Sequence, residues 1–121
     1  MAKILIVDDH SDIRRLIRIT LDTSFEVFEA EDGVSGLAAV RAHHPDLIIL
    51  DVMMPGGLDG FQVLDEIKSD PALASTRVIM LTARGQQKDY DMGMLRGADA
   101  YFIKPFSPLR LVSAIKETLA R

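Results

Sequence analysis

The chain has 121 residues, of which 48% are hydrophobic and 26% charged, and its net charge is −4. These proportions are typical of one globular domain and exclude disordered, collagen-like and coiled-coil chains. Cysteine is absent, which excludes disulfide frameworks and thiolate chemistry. The acidic balance and the lack of Trp argue against direct nucleic-acid binding. No apolar stretch approaches the ~20 residues of a membrane span, so we expect a single cytoplasmic domain over residues 1–121.

Five short apolar segments predict five β-strands. Three of them are nearly continuous runs of Ile, Val, Leu and Met, which is typical of strands buried on both faces of a parallel sheet. The second segment alternates apolar residues with glutamate and suits an edge position. The predicted strands cover residues 4–7, 25–28, 47–50, 78–81 and 100–103.

Helical periodicity separates the strands. The expected N-caps are Ser11, Asp59 and Ser107, the last followed by Pro108 in the first turn. The segment from Gln86 to Gly97 is interrupted by Gly93, and we expect it to be the weakest and most mobile helix. In the first helix, Arg14, Arg15 and Arg18 point away from the apolar face and are interpreted as solvent-exposed.

This strict alternation predicts a doubly wound α/β domain, a parallel sheet with helices on both faces. Ligands of such sheets bind beyond the carboxyl ends of the strands. The side chains that follow the strands are therefore the candidates for a functional site.

Three aspartates stand at those strand ends. Asp8 and Asp9 directly follow the first strand, and Asp51 ends the third. If these strands are neighbours, the three carboxylates converge, and a cation is needed to offset their repulsion. Aspartate oxygens are hard ligands, so Mg²⁺ is the expected ion. Each aspartate alone could instead be a turn or cap residue, but three together make that reading weaker.

Two further polar side chains follow the remaining strands. Thr82 ends the fourth strand, and Lys104 follows the fifth. A hydroxyl and an ammonium facing a metal-bound carboxylate would suit a phosphoryl group. His10 adjoins the acid pair, and we interpret it as a loop residue rather than a metal ligand.

In its motifs the chain resembles the receiver domains of two-component response regulators, and the chemotaxis receivers in particular. The motifs that carry this resemblance run in order along essentially the whole chain: Ile6 to His10, Ile49 to Pro55 with Asp59 and Gly60 following, Leu81 to Ala83, and Gly97 to Tyr101 leading to Lys104, Pro105 and Phe106. The resemblance implies a flavodoxin-like five-stranded sheet of order 2-1-3-4-5 with five helices.

The same resemblance implies a role for each site residue. Asp51 would accept a phosphoryl group from a sensor histidine kinase or a phosphotransfer protein. Asp9 would bind Mg²⁺ directly, Asp8 directly or through water, and the backbone carbonyl of Met53 would complete the protein ligands.

The fourth and fifth strands would carry the response. Lys104 would pair with the phosphoryl group, Thr82 would sense it, and Tyr101 would be the switch aromatic. The Lys104–Pro105 peptide bond is usually cis in this family. Such a domain accepts phosphoryl and slowly dephosphorylates itself, so we expect a signalling domain rather than a dedicated enzyme.

One segment departs from the family pattern. Gly56, Gly57 and Leu58 place one residue more than usual between Pro55 and Asp59. The additional glycine adds backbone freedom close to the acceptor. We expect the shape of this loop, and with it access to Asp51, to differ from the usual receiver.

Two other function classes compete with the switch. An enzyme on the same architecture, such as an aspartate-based phosphatase, would usually carry a second acid where Met53 stands. A flavin carrier is disfavoured because Asp8, Asp9 and His10 stand where a glycine-rich nucleotide loop would follow the first strand. A degenerate receiver, acting as a phosphorylation-independent interaction module, would normally have lost Asp9, Asp51, Thr82 or Lys104. We therefore favour the switch, with a downstream effector as partner, no membrane, and a possible phosphorylation-dependent dimer.

Overall fold

Strands and helices alternate along the whole chain. The computed structural model describes residues 1–83 and 87–121. The strands are β1 (Lys3–Val7), β2 (Glu26–Ala30), β3 (Leu47–Asp51), β4 (Arg77–Thr82) and β5 (Ala100–Ile103). The helices are α1 (Ser11–Leu21), α2 (Gly33–His43), α3 (Gly60–Ser69), α4 (Gln87–Leu95) and α5 (Pro108–Ala120).

The five strands form one parallel sheet in the order β2-β1-β3-β4-β5. This confirms both the predicted order and the predicted edge position of the second strand. β2 lies one to two residues later than predicted, because its pairing follows β1 from Lys3 opposite Glu26 to Val7 opposite Ala30. The apolar run at residues 25–28 therefore did not indicate the last two residues of β2, Glu29 and Ala30.

The sheet separates two apolar cores. Along β1, Leu5 and Val7 face the core beneath α2 and α3, while Ile4 and Ile6 face the core beneath α1 and α5. Side chains of successive strand residues point to opposite faces, so a strand covered on both sides needs an unbroken apolar run. All four residues are at most 1% exposed. The cores hold the sheet in place while its carboxyl edge carries the polar residues.

The helix starts were predicted correctly at two of three positions. Asp59 accepts a hydrogen bond from the Gln62 backbone N–H, and Ser107 accepts one from the Arg110 N–H. The prediction for Ser11 was wrong, because that residue is already helical. His10 occupies the N-cap position of α1, without a side-chain capping bond.

α4 also differs from its prediction. It ends at Leu95, runs through Gly93, and Gln86 lies outside the described residues. A methyl group at Gly93 would lie 3.3 Å from the ring of Tyr101. Glycine here lets the helix lie close to β5, so it is a packing feature and not a break. Gly97, at φ +105°, turns the chain away after the helix.

Two arginines of α1 form ion pairs. Arg14 is only partly exposed, which differs from the predicted solvent-exposed face, whereas Arg18 is exposed as predicted. Arg14 Nε and Arg18 Nε lie 3.0 and 2.7 Å from the two carboxylate oxygens of Glu29. Burial alone would raise the pKa of Glu29, but hydrogen bonds from Arg18 and Arg14 lower it overall. Arg15 is exposed, as predicted.

Candidate functional site

Four side chains meet at the carboxyl edge of β1 and β3. Asp8, Asp9, His10 and Asp51 each offer a ligand atom, and these atoms all lie within 4.8 Å of one another. The parallel pairing of Val7 with Leu50 places the ends of the two strands side by side. The predicted convergence of the three aspartates is confirmed, whereas the interpretation of His10 as a simple loop residue missed its position in the cluster.

Lys104 bridges two of these carboxylates. Its Nζ lies 2.8 Å from Asp8 Oδ2 and 3.4 Å from Asp51 Oδ2. Burial alone would lower the pKa of Lys104, but the contact with Asp8 and the charge of Asp51 raise it overall. The ammonium therefore stays charged and offsets part of the negative charge at the edge. The Lys104–Pro105 peptide bond is cis, as the resemblance implied.

Asp51 is the most perturbed acid at this edge. Its pKa is raised to about 6, first by burial and then by the charge of Asp8; Lys104 and the Met53 backbone N–H oppose the shift. That N–H lies 3.3 Å from Asp51 Oδ1. One lysine does not compensate the cluster, so a further cation would stabilise the ionised form.

The donor atoms suit a hard divalent cation. The cluster offers carboxylate oxygens, and Asp9 Oδ1 is buried yet accepts no hydrogen bond from the part of the chain that the structure describes. Both carboxylate oxygens of Asp8 already have partners: Lys104 contacts Oδ2, and the His10 backbone N–H donates to Oδ1. The neighbours of the Asp51 oxygens are more distant, at 3.3 Å for the Met53 N–H and 3.4 Å for Lys104 Nζ. Asp9 and Asp51 are therefore better placed for direct contact with a metal than Asp8, which is better placed to act through water.

Thr82 and Tyr101 lie on the neighbouring strands. Thr82 is fully buried at the end of β4, one residue beyond Leu81, which pairs with Asp51 across the sheet. The Lys104 N–H donates to the Thr82 carbonyl at 2.7 Å. The Tyr101 ring contacts Tyr90 edge-on with centroids 5.8 Å apart. Thr82 thus shares the edge of Asp51, while Tyr101 stands beside α4.

Two open cavities adjoin the cluster. One, of about 440 Å³, is lined by His10, Asp51 and Lys104. The other, of about 410 Å³, is lined by Asp9, Met54 and Pro55. Asp51 is almost fully buried as a residue but opens onto the first cavity, so a small reactant can approach its carboxylate from there.

The loop between β3 and α3 is anchored at its end and open in its middle. Methyl groups at Gly56 and Gly57 would meet nothing within 4 Å, and Gly56 has φ +93°. A methyl at Gly33, by contrast, would lie 2.7 Å from Leu58, so Leu58 packs directly against the start of α2. The two glycines therefore form an exposed bend, while Leu58 fixes the rest of the loop.

Arg14 belongs to the surroundings of the site, although its sequence pattern suggested only an exposed helix face. Its Nη1 donates to the Asp8 carbonyl at 2.7 Å while its Nε pairs with Glu29. This contact ties the backbone between Asp8 and Asp9 to β2. In the sequence, the only signals for these contacts of Arg14 are the spacing of three and four residues between the arginines and the acidic character of β2.

A family profile for the response regulator receiver domain matches residues 4–116. The chain belongs to this family. The receiver is 41% identical over 120 residues to the phosphate regulon transcriptional regulatory protein PhoB of Escherichia coli, covering 98% of this chain and 52% of PhoB. It is 42% identical to the transcriptional regulatory protein ResD of Bacillus subtilis, over 99% of this chain and 49% of ResD. The receiver spans about half the length of these relatives.

Solved receivers share the fold. The Vibrio cholerae chemotaxis protein CheY4 superposes with a TM-score of 0.89 at 34% identity, over 98% of both chains. Together with the order of the strands, this makes the receiver a flavodoxin-like, doubly wound α/β protein. Among the described residues, every helix is too short or too polar to cross a bilayer.

Proposed function

We propose that this receiver is a phosphoryl-accepting signalling switch and that Asp51 is its acceptor. The observation that carries the proposal is the placement of Asp51, a buried carboxylate that faces an open cavity and has Lys104 within 3.4 Å. A carboxylate oxygen attacks the phosphorus of a phosphohistidine. The phosphorus–nitrogen bond breaks, its electron pair returns to the imidazole, and an acyl phosphate forms on Asp51.

The chain's own cation stabilises the added charge. Lys104 already contacts Asp8 and Asp51, so it needs little movement to pair with a phosphoryl oxygen. Asp9, Asp51 and the Met53 carbonyl would hold Mg²⁺, with Asp8 direct or through water. When bound, Mg²⁺ supplies positive charge to the transferring phosphoryl oxygens.

Thr82 and Tyr101 would turn phosphorylation into a change of surface. A hydrogen bond from the Thr82 hydroxyl to a charged phosphoryl oxygen is worth roughly 1.5–3 kcal/mol. That energy changes a population about ten- to a hundredfold, which suits a switch. Movement of Thr82 would let the Tyr101 ring turn inward, next to α4 and β5.

The partners follow from this role. We place residues 1–121 as one receiver domain in the cytoplasm, between a histidine kinase or phosphotransfer protein and an effector. PhoB and ResD are named transcriptional regulators, so a transcriptional output is one candidate for that effector. The charge of −4 still disfavours direct nucleic-acid contact by residues 1–121. Slow loss of phosphoryl by hydrolysis would reset the switch without making the domain a dedicated enzyme.

The acceptor assignment is tested with acetyl phosphate and Mg²⁺. We expect intact-mass spectrometry to show the addition of one phosphoryl group to the wild type and none to Asp51→Asn, because an amide is not a nucleophile. Asp46→Asn, at the opposite end of the sheet, is the matched control and should be labelled like the wild type.

The assignment of Asp9 as a metal ligand is tested separately. Asp9→Asn should need much more Mg²⁺ to reach the same labelling, since one direct carboxylate is lost. Labelling of Asp51→Asn, or labelling of the wild type in excess EDTA, would contradict the proposal. A wild type that takes no label while it binds Mg²⁺ would favour the degenerate receiver instead.

The proposed relay from Thr82 to Tyr101 is tested by measuring backbone amide chemical shifts with and without beryllofluoride, a phosphoryl mimic. We expect Thr82→Ala to bind the mimic, yet to lose most of the shift of the β5 amides seen in the wild type. Thr76→Ala, a buried threonine just before the other end of β4, should respond like the wild type. Equal shifts around Tyr101 in Thr82→Ala and the wild type would rule out Thr82 as the relay.

A further inference from the structure

We propose that His10 is a nitrogen ligand at the carboxyl edge, and that it lets this receiver bind late first-row divalent ions, such as Zn²⁺ and Ni²⁺, more tightly than carboxylates alone would. The inference rests on the metal site of the proposed function and adds a residue to it. Of the three histidines in the sequence, His43 and His44 end α2 at the opposite edge.

The ligand atoms already stand at the spacing that a shared metal requires. His10 Nδ1 lies 3.1 Å from Asp8 Oδ1 and 3.2 Å from Asp9 Oδ1. Two adjacent ligands with metal bonds of about 2.0–2.1 Å lie roughly 3.0–3.4 Å apart. An ion could therefore take the imidazole and Asp9 together with little rearrangement of either side chain.

The backbone aims His10 at the cluster. Its N–H donates to Asp8 Oδ1 at 2.9 Å, and as N-cap of α1 it has an extended backbone with φ −92° and ψ 111°. The His10 side chain is 58% exposed, and His10 lines the 440 Å³ cavity. An incoming ion can thus keep water ligands on the cavity side while it contacts His10.

The carboxylate of Asp9 also supports a metal site beside His10. Its Oδ1 is buried and accepts no hydrogen bond within the ranges 1–83 and 87–121, although His10 Nδ1 is its close neighbour. A buried carboxylate oxygen in this position gains most from a cation. Asp51 completes the group of ligand atoms and lines the same cavity as His10.

The nature of the ligands predicts selectivity. Mg²⁺ is a hard ion that prefers oxygen and gains little from imidazole, whereas Zn²⁺ and Ni²⁺ bind imidazole well. His10 should therefore change the ratio of transition-metal to Mg²⁺ affinity. Zn²⁺ or Ni²⁺ would then compete with Mg²⁺ for Asp9 and Asp51.

The test measures Ni²⁺ and Mg²⁺ affinities by calorimetry in a background where His10 is the only imidazole. In that background His43→Phe keeps the ring stack with Phe28, and His44→Asn suits the positive φ at that position. Adding His10→Gln should lower the ratio of Ni²⁺ to Mg²⁺ affinity about tenfold or more. An unchanged ratio would overturn the proposal and leave His10 as a hydrogen-bond neighbour of the acids.

A second readout is the side-chain ¹⁵N spectrum during titration with Zn²⁺, which is diamagnetic. We expect the His10 ring nitrogen to shift together with the Asp9 amide. An Asp9 shift without a His10 shift would overturn the role of His10 but keep a carboxylate metal site. No shift with Zn²⁺ would also overturn it. The proposed function fails separately, if wild type in Mg²⁺ takes no phosphoryl group or if Asp51→Asn still takes one.

Discussion

Gly60→Ala should destabilise the receiver by about 3 kcal/mol, a fall in melting temperature of about 10 °C. A methyl group at Gly60 would overlap the backbone carbonyl of Asp51 and lie 2.7 Å from Val52 Cα. Both obstacles are backbone, so no change of rotamer relieves the contact. The Gly60 N–H also donates to the Val52 carbonyl at 2.8 Å, which fixes the distance between α3 and the end of β3.

Gly57→Ala is the matched control in the same loop. Its methyl group meets nothing within 4 Å, so we expect a change within about 0.5 kcal/mol. The measurement is chemical denaturation of both variants, together with phosphoryl acceptance from acetyl phosphate. Because the methyl at residue 60 pushes on the segment that carries Asp51, acceptance should also fall in Gly60→Ala. Equal stability of the two variants would contradict the close approach of α3 to β3.

The strands and the site edge were predictable because both depend on strong local patterns. A strand buried on two faces needs a continuous apolar run, and such runs identified β1, β3 and β4 in the sequence. The topology of a doubly wound sheet then brings the ends of its strands together. The aspartates could therefore be placed at one edge before any contact between them was known.

Contacts that depend on strand register could not be predicted. Glu29 meets Arg14 only because β2 pairs with β1 from residue 26 to residue 30, beyond its apolar run. The orientation of His10 depends on where α1 begins, and the helix begins one residue after it. Sequence spacing gives neither the register nor the side-chain direction, so the role of Arg14 and the place of His10 required the structure.

Asp51→Asn should be more stable than the wild type at pH 7.5 in EDTA, by as much as about 3 kcal/mol. The folded pKa of Asp51 is raised to about 6, chiefly by burial and by Asp8, against about 3.9 in an unfolded chain. Because the folded state holds this proton more tightly, the wild type loses stability as the pH rises from about 4 to about 6 and bears the full cost above that.

The pH dependence separates this effect from ordinary changes in packing. A protonated Asp51 resembles asparagine, so the advantage of Asp51→Asn should shrink to near zero toward pH 4. Glu117→Gln, which removes an exposed carboxylate on α5, should stay within about 0.5 kcal/mol of the wild type at every pH tested. Urea denaturation in EDTA at pH 4.5, 6 and 7.5 measures the difference in unfolding free energy between Asp51→Asn and the wild type at each pH. Added Mg²⁺ should narrow the gap at pH 7.5, because a cation that binds only the folded wild type stabilises it by mass action. A gap that is the same at all three pH values would mean that the charge of Asp51 does not strain the fold.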